Sequence, residues 1–340
     1  MYWRKKKIFI LVSLLLICVC LFSGYYLKIT IQKANSYSMS AKAFLYLQKV
    51  LNIMEKNFIY KDAIDWGLMK KEVYKKAEGS VLTSDTYPAI QLARSLIKEN
   101  HGFFASPSQM ELLEKEEFQF EPPIYRLLEK NVAYLSLFTF PSISDEADQE
   151  YNKQVQTAIR ALDSSDVDKW IIDLRENQGG NMWAMLLGLG PLLDKECIGF
   201  FVRNNGEKIP WKHKKNTVKQ GYSCCLKSSL PLYQLKNTPK IAVLIGNNTA
   251  SSGEAVAVAF SGQKNVRFFG QHTSGFANAT CPFILSDGAC LLLPVMLFSN
   301  RLGQTFYTNI TPDEIINVNE ATNLLKDSTI EAAIDWLCNF

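Results

Sequence analysis

Ser251 is the residue best placed to act as a nucleophile. It lies in residues 241–254, which read IAVLIGNNTASSGE. The apolar run predicts a short buried strand, and the polar residues predict a tight turn and then a helix capped by Asn248 or Thr249. Backbone N–H groups and the positive end of the helix dipole collect at such a turn, where they could stabilise an oxyanion. The alternative is that Ser251 and Ser252 only cap the helix.

Gly179 and Gly180 form a second candidate site. They follow a predicted strand that ends at Asp173 and Leu174, and they precede a predicted helix over residues 182–193. Two glycines in this position could cradle a phosphate, donate N–H groups to an oxyanion, or form a tight turn. The spacing matches neither GxGxxG nor GxxxxGK[ST], which disfavours a phosphate site. The other two interpretations remain open.

The chain offers three histidines as proton acceptors. His101 follows a predicted helix and precedes a glycine and two phenylalanines, so it lies in a loop. His213 lies among lysines, which predicts a solvated cationic run that disfavours a protonated imidazole. His272 lies in a glycine-containing loop, residues 270–275, and competes with His101 for the role of general base.

The elements that must position these residues alternate between strand and helix after residue 131. This alternation predicts an α/β fold with its functional loops at strand ends. The predicted strands cover residues 131–137, 170–174, 241–245 and 266–269, and a hairpin turns at residues 286–288. The predicted helices cover residues 41–58, 66–77, 88–99, 147–162, 182–193 and 321–337. The polar, lysine-rich residues 204–240 are interpreted as a surface insertion that could cover the site.

The N-terminus predicts a membrane anchor. Residues 8–27 carry no charge and, as a helix, would span about 30 Å. The basic residues 4–7 before them predict a cytoplasmic N-terminus and an extracellular remainder, with a cleaved signal peptide as the alternative. The predicted organisation is a tail (1–7), an anchor (8–27), a tether (28–40), a helical subdomain (41–110) and an α/β core (111–340).

The amino-acid composition limits which kinds of molecule the chain is expected to bind. A net charge of +4 over 340 residues gives no argument for nucleic acid binding. The eight cysteines and three histidines lack the spacing of a metal site. We therefore expect no metal and no cofactor, and we expect a monomer whose partners are a peptide substrate and the membrane.

Four motifs in order resemble the C-terminal-processing (tail-specific) serine protease family. They are D-L-R-x-N-x-G-G at residues 173–180, T-A-S-x-x-E at 249–254, G-x-x-T-x-G at 270–275 and P-D at 312–313. The resemblance implies a ClpP/crotonase-like α/β core over residues 120–340. The chain departs from the best-known branch, because it has no room for a PDZ domain before residue 131 and has Phe276 near the position of that branch's lysine base.

Within this family the chain resembles the nisin-resistance group more closely than the best-known branch, because that group has a basic N-terminal anchor, a helical subdomain ending in a histidine loop, and no PDZ domain. The resemblance implies a dyad in which Ser251 is the nucleophile and His101 the general base. It also implies oxyanion donors from Ser252 and from Gly179 or Gly180. Further residues that could line the substrate groove are Asn181, Met182 and Thr273. The alternative for Asn181 and Met182 is that they cap and pack the next helix.

The expected function is therefore that of a membrane-anchored, extracytoplasmic serine peptidase that cuts lantibiotic peptides near their C-termini and confers resistance. Two other functions stay open. The first is a peptidase that trims the C-termini of exported proteins. The second is a catalytically inactive member that binds peptides as an immunity or sensor protein.

Overall fold

The structure is a computed structural model that describes residues 27–115, 120–142, 144–163, 167–316 and 327–339. The predicted basic tail, and the predicted anchor apart from Leu27, lie outside these residues. No helix in the described ranges has the length and apolar character needed to cross a bilayer. The described residues divide into two compact units, one formed by residues up to 115 with 281–293 and the other by residues from 120 to 280 with those from 294 onward.

The first unit is mainly helical, as predicted. Its helices are α1 (27–36), α2 (Ala41–Asn57), α3 (Trp66–Lys76), α4 (Tyr87–Leu96) and α5 (Pro107–Lys115). Ser40 and Asp65 cap α2 and α3 by accepting backbone N–H bonds. The apolar stripe predicted for α2 is buried, with Leu47, Leu51 and Met54 at 0% exposure. Helix α1 lies within the predicted tether from residue 28 onward.

A β-hairpin completes the first unit. Strand β1 (Phe103–Ala105) pairs antiparallel with the first residues of β12 (Cys290–Ser299), which itself pairs with β11 (Asn278–Ile284). The turn predicted at residues 286–288 joins β11 to β12. Its Asp287 accepts hydrogen bonds from the hydroxyls of Tyr46 and Tyr87, both at 2.8 Å. These two bonds fasten the hairpin to helices α2 and α4.

The second unit contains the predicted α/β sheet. Its strands are β2 (Ile124–Leu128), β3 (Val132–Ser136), β4 (Lys169–Asp173), β9 (Lys240–Ile245), β10 (Val266–Gly270) and β14 (Glu314–Ile315). They lie in the order β14-β10-β9-β4-β3-β2, and every neighbouring pair is parallel except β2 with β3. Strand β9 is apolar and buried on both faces, as a central parallel strand must be.

The register of this sheet aligns the carboxyl ends of its central strands. Asp173 pairs with Leu244, and Ile245 pairs with Gly270. The loops that follow β4, β9 and β10 therefore leave the sheet at the same edge. Helices α6 (Asp145–Asp163), α7 (Met182–Gly188) and α8 (Ser252–Phe260) share the larger hydrophobic core, and α9 (Ser328–Asn339) contributes to a smaller one.

Residues 204–240 were predicted to be a polar surface insertion, and the structure shows that they contain three strands. After β5 (Cys197–Arg203), the chain forms β6 (Lys208–Lys214), β7 (Thr217–Gln220) and β8 (Ser223–Lys227), an antiparallel meander. The rest of β12 pairs with β5 and with β13 (Thr305–Phe306). Trp211, Val218 and Leu226 join the larger core, because alternate side chains of each strand point inward.

His213 is a second correction. The sequence predicted a solvated side chain, but His213 lies on the inward face of β6 and is 6% exposed. The neighbouring lysines, Lys212 and Lys214, point to the other face. The α/β class and the N-terminal helical region are confirmed, whereas the ClpP/crotonase-like architecture and the domain boundaries stay predictions.

Candidate active site

Ser251 occupies a strained turn between β9 and α8. It is the N-cap of α8 and has φ 51° and ψ −115°, a positive φ that non-glycine residues seldom adopt. The prediction that Asn248 or Thr249 caps α8 was wrong, because the side chains of both residues bond to other partners. Asn248 donates to Glu176, and the Thr249 hydroxyl donates to the carbonyl of Leu174 at 2.8 Å. Thr249 thereby ties the loop of Ser251 to the loop that follows β4.

The structure brings Gly179 and Gly180 against Ser251 and Ser252. A Cβ at Gly179 would lie 2.9 Å from Ser251 Cβ, so the close approach requires glycine, and its φ of 117° requires it too. The Ser252 hydroxyl donates to the Gly180 carbonyl at 2.5 Å. Four of the predicted site residues are therefore neighbours, although they are about 70 positions apart in the sequence.

The two glycines differ as oxyanion donors. The Gly179 N–H donates to Asn177 Oδ1 at 3.0 Å, so it is already used. Gly180 is exposed, and its N–H donates to no acceptor in the part of the chain that the structure describes. Ser252 is the first residue of α8, where N–H groups lack partners within the helix. The geometry therefore favours Gly180 over Gly179 beside Ser252, and the oxyanion role itself stays a prediction.

Asn177 is a structural residue of the site that the sequence analysis missed. It is fully buried, and its carbonyl accepts the Ala250 N–H at 3.0 Å, next to Ser251. Its side chain holds Gly179, as described above, and contacts Met185 Sδ. Two signals in the sequence pointed to it: Asn177 is the N of the motif D-L-R-x-N-x-G-G, and an asparagine two residues before a glycine favours an Asx turn.

Asn181 and Met182 follow the alternative given for them. Asn181 is the N-cap of α7, where its Oδ1 accepts the Trp183 N–H, and its amide donates to Asp148 at 2.8 Å. Met182 is 7% exposed and belongs to the larger core. Both side chains thus cap and pack the helix that follows the glycines, and a substrate contact for either stays a prediction.

Thr273 lies beneath the site. It is 5% exposed, and its hydroxyl donates to Glu254 Oε1 at 2.5 Å and accepts the Ile310 N–H at 2.7 Å. Both bonds of the buried hydroxyl go to the protein, and a substrate contact for Thr273 stays a prediction. Burial raises the pKa of Glu254 to about 7, although bonds from Thr273 and from backbone N–H groups oppose the rise.

The three histidines lie in different settings. His101 lies in the first unit, where the Glu99 carboxylate accepts the N–H groups of His101 and Gly102. Ser251 lies in the second unit, so the pairing of His101 with Ser251 stays a prediction. His272 is exposed in the second unit, with Nδ1 3.1 Å from the Thr311 hydroxyl. Burial lowers the pKa of His213 to about 4, and its Nε2 has no hydrogen-bond partner among the described residues.

Arg175 fixes the start of the glycine-containing loop. Its guanidinium bonds to Asp173 at 2.7 Å and to Asp327 at 2.6 Å, and Tyr134 donates to the same Asp173 carboxylate. Asp327 also accepts the Thr329 N–H at the start of α9. This network ties the end of β4 to α9.

A cavity of about 620 Å³ opens near this network at the carboxyl ends of the parallel strands. Its lining includes Arg175, Asp327 and the last residues of β3, β4, β9 and β10. Ser251, Ser252, Gly179 and Gly180 are not among the residues that line it. Within the described ranges, no group of three or more histidine, cysteine or acidic side chains is arranged to hold a metal ion.

Sequence comparisons place these residues in a known context. The family model described as "Peptidase family S41" matches residues 131–316, which is more than half of the chain. The nisin-resistance protein of Lactococcus lactis subsp. lactis is 27% identical over 299 residues, covering 88% of this chain and 89% of that protein. The chloroplastic carboxyl-terminal-processing peptidase 2 of Arabidopsis thaliana is 27% identical over 183 residues, 54% of this chain and 31% of that protein.

Solved structures share the fold. A lipoprotein from Streptococcus agalactiae aligns with a TM-score of 0.70 at 22% identity, covering 88% of this chain and 96% of that chain. The photosystem II D1 C-terminal processing protease aligns with a TM-score of 0.59 at 14% identity, and the alignment covers 82% of this chain and 94% of that chain. At these identities the likeness concerns the fold.

Proposed function

Because the chain belongs to peptidase family S41, we propose that Ser251 is the nucleophile of a serine peptidase and that His101 is its general base. One observation carries the assignment of the nucleophile. Ser251 is held at a positive φ at the head of α8, and the backbone of Gly179 packs against it. Such strain persists only where the surrounding contacts enforce it, and it is concentrated at functional sites.

The proposed reaction follows from these positions. His101 accepts the Ser251 Oγ proton as the oxygen attacks the scissile carbonyl, and it then protonates the departing amine. Water, deprotonated by the same imidazole, hydrolyses the acyl-enzyme and regenerates the Ser251 hydroxyl. The N–H groups of Ser252 and Gly180 are the proposed donors to the oxyanion, and one such donor typically contributes about 3–4 kcal/mol to the transition state.

The proposed substrates are lantibiotic peptides of the nisin type, cut near their C-termini. Support comes from the similarity to the nisin-resistance protein over nearly the full length of both chains. The uncharged residues 8–27 support anchoring in the cell membrane with the peptidase outside. An anchored peptidase gains from the high local concentration of peptides that insert into the same membrane.

Mass spectrometry of nisin incubated with the membrane-inserted full chain tests this proposal. We expect wild-type protein to release a C-terminal fragment, and we expect Ser251→Ala and His101→Ala each to abolish its release. In nisin-sensitive cells, the same two variants should remove resistance. Ser95→Ala and His272→Ala are the matched controls, and both variants should cleave nisin normally. Ser95 bonds only within its own helix, and His272 is exposed, with Thr311 as its hydrogen-bond partner.

Other outcomes select the alternative functions. Resistance that survives Ser251→Ala would indicate a protein that binds the peptide without cutting it. Intact nisin together with Ser251-dependent shortening of exported proteins would indicate a tail-trimming peptidase. Loss of cleavage in His272→Ala but not in His101→Ala would reassign the general base.

A further inference from the structure

Glu254 joins the backbone of Ser251 to a second loop. It lies in the first turn of α8 and is fully buried. Its Oε2 accepts the Ser251 N–H at 2.9 Å, while its Oε1 accepts the Thr273 hydroxyl at 2.5 Å and the Gly275 N–H at 3.1 Å. One carboxylate therefore holds the nucleophile with one oxygen and the loop after β10 with the other.

We propose that Glu254 is a positioning residue whose ionised carboxylate keeps Ser251 in its reactive backbone conformation, so that protonation of Glu254 switches the peptidase off. This inference rests on the proposed function of Ser251. It adds a requirement that the proposed dyad does not contain, because Glu254 acts through the backbone of Ser251 and exchanges no proton with the substrate.

The contacts of Glu254 require an acceptor that carries no proton. The groups that reach its oxygens are all donors, namely the backbone N–H groups of Ser251, Gly275 and Phe276 and the hydroxyl of Thr273. The Thr273 hydroxyl accepts the Ile310 N–H and donates its own hydrogen to Glu254. A protonated carboxyl would place its own O–H among these donors, and an amide would do the same with its N–H₂ group.

The Ser251 conformation depends on this contact. A serine at φ 51° lies outside the favoured regions of the backbone, so the N–H of Ser251 must be held in direction. Gly179 packs against Ser251 Cβ and Asn177 holds Ala250, but Glu254 is the residue that bonds to the Ser251 N–H itself. Loss of that bond frees the peptide to rotate and moves Oγ away from its line of attack.

Protonation of Glu254 falls within a physiological range. Burial raises the pKa of its carboxyl to about 7, against the hydrogen bonds that lower it. The groups identified as shifting this pKa are the Thr273 hydroxyl and the N–H groups of Ser251, Gly275 and Phe276, and none of these groups is charged. The neighbouring His272 is exposed and bonds to Thr311. Desolvation raises the pKa of Glu254, and hydrogen bonding opposes that rise.

The pH dependence of nisin cleavage by the membrane-inserted full chain tests the inference. In wild type, both the general base and Glu254 must lose a proton, so log(kcat/KM) should rise with a slope approaching two on the acid side. In Glu254→Gln the slope should fall to one, with kcat reduced roughly tenfold or more at pH 8 and KM little changed. Glu176→Gln, which changes an exposed carboxylate on the neighbouring loop, should behave as wild type.

Thr273→Val is a second test variant, in which valine has nearly the same shape as the threonine that it replaces. It removes one hydrogen bond that lowers the pKa of Glu254, so the acid limb should move to higher pH, whereas a purely structural defect would lower activity equally at every pH. An unchanged slope in Glu254→Gln, or an unmoved limb in Thr273→Val, overturns the inference alone. Absence of Ser251-dependent cleavage in wild type overturns the proposed function and this inference with it.

Discussion

Replacing Glu254 by glutamine should change how stability depends on pH. The pKa of the Glu254 carboxyl rises from 4.5 to about 7 on folding, mainly because the side chain is buried. The folded state therefore binds a proton more tightly than the unfolded state does. The stability linked to this proton is complete below pH 4.5 and is lost as the pH rises through about 7. The loss amounts to about 3 kcal/mol.

Glu254→Gln has no proton to lose, so its stability relative to wild type should rise by about 3 kcal/mol between pH 4.5 and pH 8. Denaturant unfolding at a series of pH values measures this difference, and the other titrating groups cancel in the comparison. Tryptophan fluorescence can report the transition, since Trp170 and Trp211 are fully buried in the second unit. A difference that stays constant within about 1 kcal/mol over this range would refute the reasoning.

Three further predictions concern other parts of the second unit. Arg175→Met should destabilise the protein by about 3–5 kcal/mol in denaturant unfolding, because it leaves the buried Asp173 and Asp327 without their cationic partner. A loss of stability below about 1 kcal/mol would contradict this expectation. Gly179→Ala should lower peptide cleavage roughly 100-fold, because its Cβ would collide with Ser251, whereas Gly206→Ala, also at positive φ but with no atom within 4 Å, should cleave normally. Burial lowers the pKa of His213 from 6.5 to about 4. In denaturant unfolding, the wild-type protein should therefore lose about 3 kcal/mol of stability as the pH falls through that range. His213→Leu should lose less stability over the same pH range, because leucine binds no proton.

The strands and helices that position Ser251 could be predicted because their signals are local. The apolar run of β9 and the polar turn after it identify a strand and a helix start without reference to the rest of the chain. The glycine pair was recognisable for the same reason, since it directly follows the buried strand β4. Family motifs then indicated which of these local features belong together.

The strands within residues 204–240 were missed because composition concealed their periodicity. In β6, Trp211 and His213 point inward while Lys212 and Lys214 point outward, so half of the strand reads as a charged loop. The partner strands β7 and β8 are equally polar on their outer faces. A test for period-two alternation over these residues would have favoured a meander.

The hydrogen bonds that fix the site could not be predicted from the sequence, for a different reason. Asn177 and Ala250 lie more than 70 positions apart, as do Leu174 and Thr249. Nothing in either local sequence specifies the other partner, because the register of β4 against β9 brings them together. The choice of Gly180 over Gly179 as oxyanion donor likewise depends on the bond from Gly179 to Asn177.

Glu254 combines these two cases, because its bond to Ser251 could be predicted from the local sequence whereas its bonds to the loop after β10 could not. A glutamate three residues after a helix N-cap commonly reaches back to the N-cap N–H, so the bond to Ser251 was implicit in the spacing S-x-x-E. A capping glutamate of that kind is ordinarily exposed and ionised at little cost. Here the loop of Thr273 covers the carboxylate, and burial makes its charge unfavourable for folding at neutral pH. If activity follows the ionised form while stability follows the protonated one, Glu254→Gln should gain stability relative to wild type as the pH rises from 4.5 to 8, and should still be the slower peptidase at pH 8.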